Sequence, residues 1–248
     1  ISRILPGLDD LAVNIWAAMD FMDLSFADAR VEVFSGIPML DLRAPALSQF
    51  DQLIKRTFDL VLTCLMLALT LPIMLVVSLL ILIFDGHPML FHQERVGENG
   101  RVFKMHKFRT MVRNAEELQT EAGYTDENGN HVHKVKADPR VTPLGRFLRR
   151  FSLDELPQLF NVLKGEMSIV GPRPELPALV SQYERWQRKR LTVPPGITGW
   201  WQVTGRSDRV MHLHTEDDIY YVQNYSIWLD IRIIIRTIYV VLIGKGSY

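Results

Sequence analysis

The sequence predicts an α+β protein that is mostly helical and contains one membrane segment. Three observations predict this fold class: an uncharged apolar run at residues 60–84, a β-hairpin pattern at residues 89–108, and helical spacing of apolar residues in much of the remaining chain. Of the 248 residues, 48% are hydrophobic, and this composition excludes a fully disordered chain. The single cysteine, Cys64, excludes a disulfide scaffold and a cysteine-based zinc site.

Charge is unevenly distributed, although the formal net charge is zero. Residues 1–50 carry three basic and seven acidic residues, residues 51–84 carry two of each, and residues 85–248 carry 23 basic and 19 acidic residues. A neutral total argues against a dedicated nucleic-acid-binding protein, which is normally strongly basic. The chain begins at Ile1 without the layout of a signal peptide, which predicts a piece of a longer protein.

Residues 1–50 are predicted to be the last part of an α/β domain. Leu8–Met22 has the apolar spacing of a helix, whereas Val31–Phe34 and Met39–Leu42 are typical of short strands on either side of a Ser-Gly turn. Nothing in this part of the sequence has the pattern of a catalytic site, and we expect its acidic residues to form a solvated face.

The apolar run Leu60–Phe84 contains 25 residues without a charge. At ~1.5 Å per residue, a helix of this length spans the ~30 Å hydrocarbon core of a bilayer. Pro72 lies at its midpoint, where it removes one backbone hydrogen bond and predicts a kink. Two geometries fit: a kinked span, or a helix-break-helix hairpin that returns to the same membrane face. Lys55 and Arg56 favour a cytoplasmic start, and a buried helix of a soluble core is the less consistent alternative.

A β-hairpin is predicted directly after the membrane segment. Met89–Glu94 and Val102–Phe108 have strand composition, and an Asn-Gly pair lies between them. Alternation along the second strand places Lys104 and His106 on one face and Lys107 on the other.

The remaining elements are predicted to be helices and loops. Arg113–Ala122 is typical of a short polar helix, and residues 123–136 are typical of a loop. A helix is expected to start at or near Ser152, because Ser152 to Glu155 has capping-box spacing. Ile227–Ile243 has a broad apolar face that fits either a membrane surface or the core. Residues 144–150 form an amphipathic helix whose apolar side comprises Leu144, Phe147 and Leu148.

Two adjacent carboxylates, Asp154 and Glu155, form the strongest candidate for chemistry. At a helix start, free backbone N–H groups and the helix dipole favour anions, and Arg149 and Arg150 lie one turn before them. We expect both effects to keep the carboxylates ionised. An ionised aspartate can act as a nucleophile, and a neighbouring glutamate can hold Mg²⁺ against a diphosphate. An equally weighted alternative is that the two residues only cap the helix.

An arginine between two prolines, Arg173, forms a second candidate. Proline restricts its own backbone and that of the preceding residue, so the guanidinium is pre-organised for a phosphate, although the segment could equally be only a rigid turn. Lys104, Lys107 and Arg109 form a third group, in which strand alternation separates the two lysines and leaves the direction of Arg109 open.

Seven motifs occur in the order found in the bacterial sugar transferase family, which the chain resembles over residues 51–248. Members are monotopic phosphoglycosyl transferases, which move a hexose 1-phosphate from a nucleotide sugar to undecaprenyl phosphate, a polyprenyl phosphate. Several motifs in order make the resemblance specific. The motifs are Phe58–Phe84 with its central proline, Gln93–Gly97, Lys107–Met111, Ser152–Gln158, Asn161–Gly165, Gly171–Glu175 and Pro195–Gly199.

The resemblance implies a role for each candidate residue. Asp154 matches the nucleophile, which attacks the β-phosphate of a UDP-sugar, releases UMP and forms a phosphosugar-aspartyl intermediate. Glu155 matches the Mg²⁺-binding carboxylate, and Arg149 and Arg173 match phosphate-binding arginines. Substrate binding is also implied for the basic residues of two further motifs. These are Arg95, Lys107 and Arg109.

The resemblance also implies an architecture and a location. Residues 51–85 would form a re-entrant hairpin broken at Pro72, which here follows Leu71 instead of the family's serine. Residues 86–248 would form a catalytic domain on the cytoplasmic face of the bacterial inner membrane. Residues 1–50 would end the nucleotide-fold regulatory domain of a long member truncated at its N-terminus. The expected substrate is UDP-glucose or UDP-galactose, used in exopolysaccharide, capsule or O-antigen synthesis. A homodimer is possible, and the resemblance does not decide the oligomeric state.

Two other functions compete with this interpretation. A metal-dependent glycosyltransferase would use the acidic run Glu216-Asp217-Asp218 and would release UDP instead of UMP. A membrane-anchored scaffold would use its arginines to bind anionic lipid headgroups. Trp200, Trp201 and Gln202 could contact uracil or sugar, but core or interfacial positions are the favoured interpretation.

Overall fold

The computed structural model of the chain describes residues 16–18, 30–34, 37–41, 49–115, 118, 138–204 and 215–243. The chain divides into two units, Ile1–Gln52 and Leu53–Tyr248. The predicted polar helix Arg113–Ala122 and the predicted loop at residues 123–136 lie largely outside the described residues.

Three short strands are described in the first unit: β1 (Trp16–Ala18), β2 (Arg30–Phe34) and β3 (Ile37–Asp41). They form an antiparallel sheet in the order β1-β3-β2. The prediction of a helix over Leu8–Met22 is wrong where the chain is described, because Trp16–Ala18 pairs with β3. A short apolar segment fits either periodicity, and a neighbouring strand decides between them. The predicted nucleotide fold stays a prediction.

A single long helix, α1 (Gln49–Phe84), contains the apolar run. It is the one helix, among the described residues, that is long and apolar enough to cross a membrane. Helical backbone continues through Pro72, and the predicted re-entrant hairpin is not confirmed. A proline removes only one helical hydrogen bond and has a helical φ, so a continuous helix can contain it. The Thr70 hydroxyl donates to Met66 O at 2.7 Å, a contact that bends helices.

The first part of α1 is held by polar contacts with the rest of the second unit. Arg56 donates to Val162 O at 2.7 Å and to Leu163 O at 2.9 Å. Lys55 Nζ lies 2.8 Å from both Asp59 Oδ1 and Asp230 Oδ2, and all three side chains are buried. These contacts connect α1 to two distant parts of the sequence.

The last part of α1 is held by apolar packing. Met74, Val77 and Ile81 form a buried cluster with Phe108 and Leu148. The other side chains of α1 include many large apolar groups that are exposed in the absence of a bilayer. One face of α1 therefore packs on the protein, and the other presents apolar side chains outward.

The predicted β-hairpin is confirmed. Strands β4 (Leu90–Val96) and β5 (Val102–Phe108) are antiparallel, and Leu90 lies opposite Phe108. In the connecting turn, Asn99 and Gly100 have φ values of 54° and 76°. Asn and Gly tolerate this left-handed region better than other residues do.

The rest of the second unit consists of short helices around two parallel strands, and the fold is α+β and mostly helical. The last described helix, α7 (Ile227–Ile243), has the predicted bounds. It packs on the core through Ile233, whereas Trp228 is 81% exposed. On the predicted apolar side of the amphipathic helix, Leu148 is buried, whereas Phe147 is 53% exposed. The elements are α2 (Pro143–Arg150), α3 (Gln158–Lys164), β6 (Ser168–Val170), α4 (Pro177–Val180), β7 (Gly196–Thr198), α5 (Trp200–Thr204), α6 (Thr215–Gln223) and α7 (Ile227–Ile243).

Candidate active site

A tight turn between α2 and α3 carries the two candidate carboxylates. Ser152 has a φ of 55° and a ψ of 25°, and the 3₁₀ turn Leu153–Glu155 follows it. Helical structure does start next to Ser152, as predicted, but it is a 3₁₀ turn, and α3 begins only after Pro157. The predicted capping box is wrong, because the Ser152 side chain makes no capping hydrogen bond. A left-handed serine is uncommon, and such backbone strain is concentrated at functional sites.

Glu155 is paired with two cationic side chains from other elements. Lys107 Nζ on β5 donates to Glu155 Oε1 at 2.9 Å, and Arg173 Nη1 lies 3.8 Å from the same oxygen. Lys107 shares the inward face of the strand with Met105, as alternation predicted. The structure therefore brings together Lys107, Glu155 and Arg173.

Asp154 is in a different electrostatic environment. Burial and then the charge of Glu155 raise the pKa of Asp154, and the charges of Lys107 and Arg149 oppose this shift. The pKa of Asp154 therefore shifts in the direction opposite to the effect of the cationic neighbours, because burial outweighs them. Arg149 Nε donates to Thr110 Oγ1 at 3.0 Å. Burial lowers the pKa of Arg149, while Asp154 raises it.

A small, partly open cleft lies beside these residues. Arg95 in its wall donates to Pro174 O at 3.2 Å and to Gln93 Oε1 at 2.6 Å. Burial and then the charge of Arg173 lower the pKa of Arg95 to about 10. Three cationic side chains, Arg95, Lys107 and Arg173, thus converge on this cleft. The lining residues are Arg95, Met105, Lys107, Gln158, Arg173, Pro174, Gly196 and Ile197.

The Pro-Arg-Pro turn is fixed through its backbone. Each of the four successive carbonyls of residues 172–175 accepts a hydrogen bond from a different donor. Since two of these residues are prolines, the turn lacks their N–H groups and depends on these carbonyl contacts. The donors are Gly196 N to Pro172 O, Arg190 Nη2 to Arg173 O, Arg95 Nη1 to Pro174 O, and Val96 N to Glu175 O.

Arg109 does not reach this pocket. Its Nη2 donates to Asp85 O at 2.6 Å and to Gly86 O at 2.7 Å, directly after the end of α1. The strand ends at Phe108, so alternation could not fix the direction of the next side chain. The structure therefore separates Arg109 from Lys107, although the two lie in one motif.

The pairing of Arg190 with Asp218, which holds the site, was not found from the sequence, where Asp218 appeared only in an alternative metal site. Arg190 is 2% exposed and pairs with Asp218 at 2.5 Å. Burial lowers the pKa of Arg190, but Asp218, Tyr183 and Glu175 more than offset this effect, so the pKa is raised. Both residues lie in charged runs that resemble solvated surface, so only their burial distinguishes them. Trp201 and Gln202 are also buried, as the favoured interpretation predicted.

An aspartate near an arginine, beside a cleft lined by three cationic side chains, is an arrangement typical of a group-transfer enzyme. The family model described as bacterial sugar transferase matches residues 50–244. The chain belongs to the bacterial sugar transferase family.

Three relatives illustrate the match. The UDP-galactose-lipid carrier transferase of Erwinia amylovora is 44% identical over 206 residues, 80% of this chain and 42% of that protein. The UDP-glucose:undecaprenyl-phosphate glucose-1-phosphate transferase of Escherichia coli (strain K12) is 35% identical over 257 residues, 100% of this chain and 53% of that protein. The exopolysaccharide production protein ExoY of Sinorhizobium fredii is 40% identical over 200 residues, 78% of this chain and 88% of that protein.

The chain therefore spans about half, or less, of the length of the first two relatives, but its matched region covers most of the third. The names of the first two relatives state transfer to a lipid carrier with a galactose or a glucose nucleotide.

Proposed function

We propose that the protein transfers a hexose 1-phosphate, from UDP-glucose or UDP-galactose, to undecaprenyl phosphate at the cytoplasmic face of the bacterial inner membrane. The observation that carries this proposal is the turn Leu153–Glu155, where Asp154 lies beside Glu155 and within the electrostatic reach of Lys107 and Arg149. The names of the relatives support both the sugar nucleotide and the lipid acceptor. The product would feed exopolysaccharide, capsule or O-antigen synthesis.

In the first step, an Asp154 carboxylate oxygen attacks the β-phosphorus of the UDP-sugar. The bond between that phosphorus and the oxygen bridging to the α-phosphate breaks, and UMP leaves with the electron pair of that bond. The sugar phosphate is then joined to Asp154 as an acyl phosphate diester. Arg95, Lys107 and Arg173 line the adjacent pocket and are the groups available to neutralise the diphosphate.

In the second step, an oxygen of the polyprenyl phosphate attacks the same phosphorus. The bond to the Asp154 carboxylate breaks, and the carboxylate is regenerated. The product is a polyprenyl diphosphate sugar, and no net change occurs in the enzyme. Two displacements at one phosphorus separate the departure of UMP from the arrival of the lipid, which suits a water-soluble donor and a membrane-bound acceptor.

Glu155 is the residue proposed to hold Mg²⁺. Mg²⁺ is usually bound through one or two carboxylates together with substrate phosphates and water, so an all-protein cage is not required. The oxygen donors of Asp154 and Glu155 fit this type of site, although Lys107 is paired with Glu155 in the described structure. When bound, the ion would supply positive charge to the departing phosphate.

We also propose that α1 enters and leaves the membrane on the same side. A straight helix would separate Arg56 from Ile81 by about 38 Å. Both ends nevertheless contact one catalytic unit: Arg56 bonds to Val162 O, and Ile81 packs against Phe108. A bend near Pro72 would account for both contacts.

The environment of Asp218 argues against a metal-dependent glycosyltransferase that uses residues 216–218. Asp218 is 2% exposed and is paired with Arg190, so its carboxylate is already engaged in the core. The scaffold alternative is disfavoured by the strained turn and the fixed Pro-Arg-Pro segment, since binding to lipid headgroups needs neither.

The test is the identity of the nucleotide released from a panel of UDP-sugars in the presence of undecaprenyl phosphate and Mg²⁺. The proposal predicts UMP, with UDP-glucose or UDP-galactose as the most active donor, and no release by Asp154→Asn. The matched control, Glu216→Gln, changes an exposed carboxylate on α6 and should retain activity. Release of UDP would favour the glycosyltransferase alternative, and release of neither nucleotide would favour the scaffold.

A further inference from the structure

We infer that Arg109 and Arg113 form a second anion site, at the end of α1, for a phosphate group carried by a membrane lipid. The inference rests on the proposed function in one respect, which is that a lipid phosphate must approach Asp154. It separates the basic residues into two sets: one in the pocket for the sugar nucleotide and one at the membrane end of α1.

The first observation is the incomplete hydrogen bonding of a buried guanidinium. Arg109 is 7% exposed, and only its Nη2 has partners, the carbonyls of Asp85 and Gly86. Its Nε and Nη1 atoms are buried and have no hydrogen-bond partner in the described part of the chain. Buried charged donors without partners are costly and rare, and an anion is the group that satisfies them best.

The second observation is a second guanidinium at the same turn. Gly86 has a φ of 74°, and a Cβ added there would lie 2.7 Å from Arg113 Nη2, so the Arg113 side chain lies against this backbone. Burial and then the charge of Arg113 lower the pKa of Arg109, and only Asp85 opposes them. The Asp85 carboxylate, the one anionic group among the described residues that acts on Arg109, also accepts a hydrogen bond from the Thr142 hydroxyl at 3.0 Å. The local charge balance therefore favours an added anion.

The third observation is the position of this turn relative to the apolar surface. Ile83 and Phe84, the last residues of α1, are 64% and 72% exposed, and Asp85 and Gly86 follow them directly. A lipid whose chains lie along α1 would place its headgroup at this level. A phosphate on a lipid thus fits the site better than a soluble phosphate does.

A short path connects this site to the candidate nucleophile. Thr110 follows Arg109 in the chain, and its hydroxyl accepts from Arg149 Nε at 3.0 Å. Arg149 in turn interacts electrostatically with Asp154. Neither Arg109 nor Arg113 lines the pocket of Arg95, Lys107 and Arg173. Donor and acceptor phosphates would therefore approach Asp154 from separate basic sites.

The experiment compares the full chain with Arg113→Gln and Arg109→Lys in phosphatidylcholine nanodiscs. Arg113→Gln removes an exposed charge, and Arg109→Lys keeps the charge but removes the guanidinium fork. The matched control, Arg101→Gln, removes an exposed arginine at the tip of the hairpin. The three readouts are the KM for undecaprenyl phosphate, the UMP released in a single turnover without carrier, and binding to vesicles with or without phosphatidylglycerol.

If the site binds the phosphate of the carrier, both variants should raise the KM for undecaprenyl phosphate by about tenfold, the effect of losing one charge-assisted contact. The amount of UMP released in a single turnover should change little. If binding to phosphatidylglycerol vesicles weakens instead, the phosphate belongs to bulk lipid headgroups, and the site still stands. If carrier KM and vesicle binding both stay within twofold of the wild type, the inference is overturned. A wild-type protein that releases no UMP would refute the proposed function, and vesicle binding alone would then decide the anion site.

Discussion

Asp154 and Glu155 are adjacent residues with different partners. Glu155 forms a 2.9 Å ion pair with Lys107, whereas Asp154 is influenced by Lys107 and Arg149 through their charges. A carboxylate held tightly in an ion pair is a weaker nucleophile than one whose charge is only balanced from a distance. This difference supports the proposed division of roles, with Asp154 as nucleophile and Glu155 as the anchor for cations.

A residue-scale prediction concerns the paired histidines on the outer face of the hairpin. His106 Nδ1 lies 2.8 Å from His92 Nδ1, and Lys164 and Glu166 also face His106. Burial, then His92 and Lys164, lower the pKa of His106 below its ordinary value of about 6.5, and Glu166 opposes them. NMR titration should therefore find that His106 titrates below the value of an unfolded chain.

The sign of the linked stability change follows from this direction. The unfolded chain binds the proton of His106 more tightly, so the free energy of unfolding should fall as the pH drops from about 6.5 through the lower folded-state pKa. His92→Asn should raise the pKa of His106 only in part, because burial is the larger cause. A pKa of His106 at or above that of the unfolded chain would contradict the described hairpin geometry.

At the scale of elements, the buried Arg190–Asp218 pair connects α6 to the Pro-Arg-Pro turn. Arg190 donates to Arg173 O and to the Tyr183 hydroxyl, and its side chain is buried. Arg190→Gln should lower the free energy of unfolding by about 3–5 kcal/mol, because Asp218 is left as a buried unpaired charge. Denaturant unfolding in detergent, followed by tryptophan fluorescence, measures this loss.

The double variant Arg190→Gln/Asp218→Asn provides the control for that prediction. Since it leaves no unpaired charge, it should be less destabilised than the sum of the two single variants. Strict additivity would mean that the two side chains do not interact in the folded protein. Lys104→Gln, an exposed change on β5, should have an effect near zero.

The path of α1 through the membrane makes a second element-scale prediction. Cys64 is the only cysteine, so Cys64→Ala gives a cysteine-free background. A cysteine placed at Gln52, before the apolar run, and one placed at Asn99, after it, should both react with an impermeant maleimide from the cytoplasmic side. Labelling from opposite sides of the membrane would show instead that α1 spans the bilayer.

Local patterns predicted those elements whose conformation is set by neighbouring residues. The hairpin, the inward position of Lys107 and the bounds of α7 follow from strand alternation, an Asn-Gly turn and helical periodicity. Local patterns did not predict the left-handed conformation of Ser152 or the strand Trp16–Ala18. Each depends on the element that precedes it or pairs with it.

Long-range contacts were the part of the site that the sequence could not predict. Spacing grouped Lys107 with Arg109, yet the structure turns one toward Glu155 and the other toward the end of α1. The burial of Arg190 depends on Asp218, which lies 28 positions later, and no local pattern links the two. Helical spacing placed Phe147 on an apolar side but could not predict that it is exposed, because the pattern does not show how much of that side is covered.

At the scale of the whole molecule, all the candidate site residues lie in the second unit, Leu53–Tyr248. The Sinorhizobium fredii relative is 88% covered by the matched region. A shortened chain of residues 50–248 should therefore release UMP from the preferred UDP-sugar at a rate within about threefold of the full chain, since the catalytic groups are unchanged. Loss of UMP release from a folded, membrane-bound fragment would show that residues 1–49 contribute to the reaction.

The most direct test of the central claim is to detect the aspartyl intermediate. The purified protein is incubated with Mg²⁺ and a UDP-sugar labelled in the sugar, without undecaprenyl phosphate, and the protein is then digested and analysed by mass spectrometry. We predict one hexose phosphate on the peptide containing Asp154, an equal amount of released UMP, and loss of the label when undecaprenyl phosphate is added. A label on another residue, or UMP release that requires undecaprenyl phosphate and leaves the protein unlabelled, would contradict the assignment of Asp154 as nucleophile.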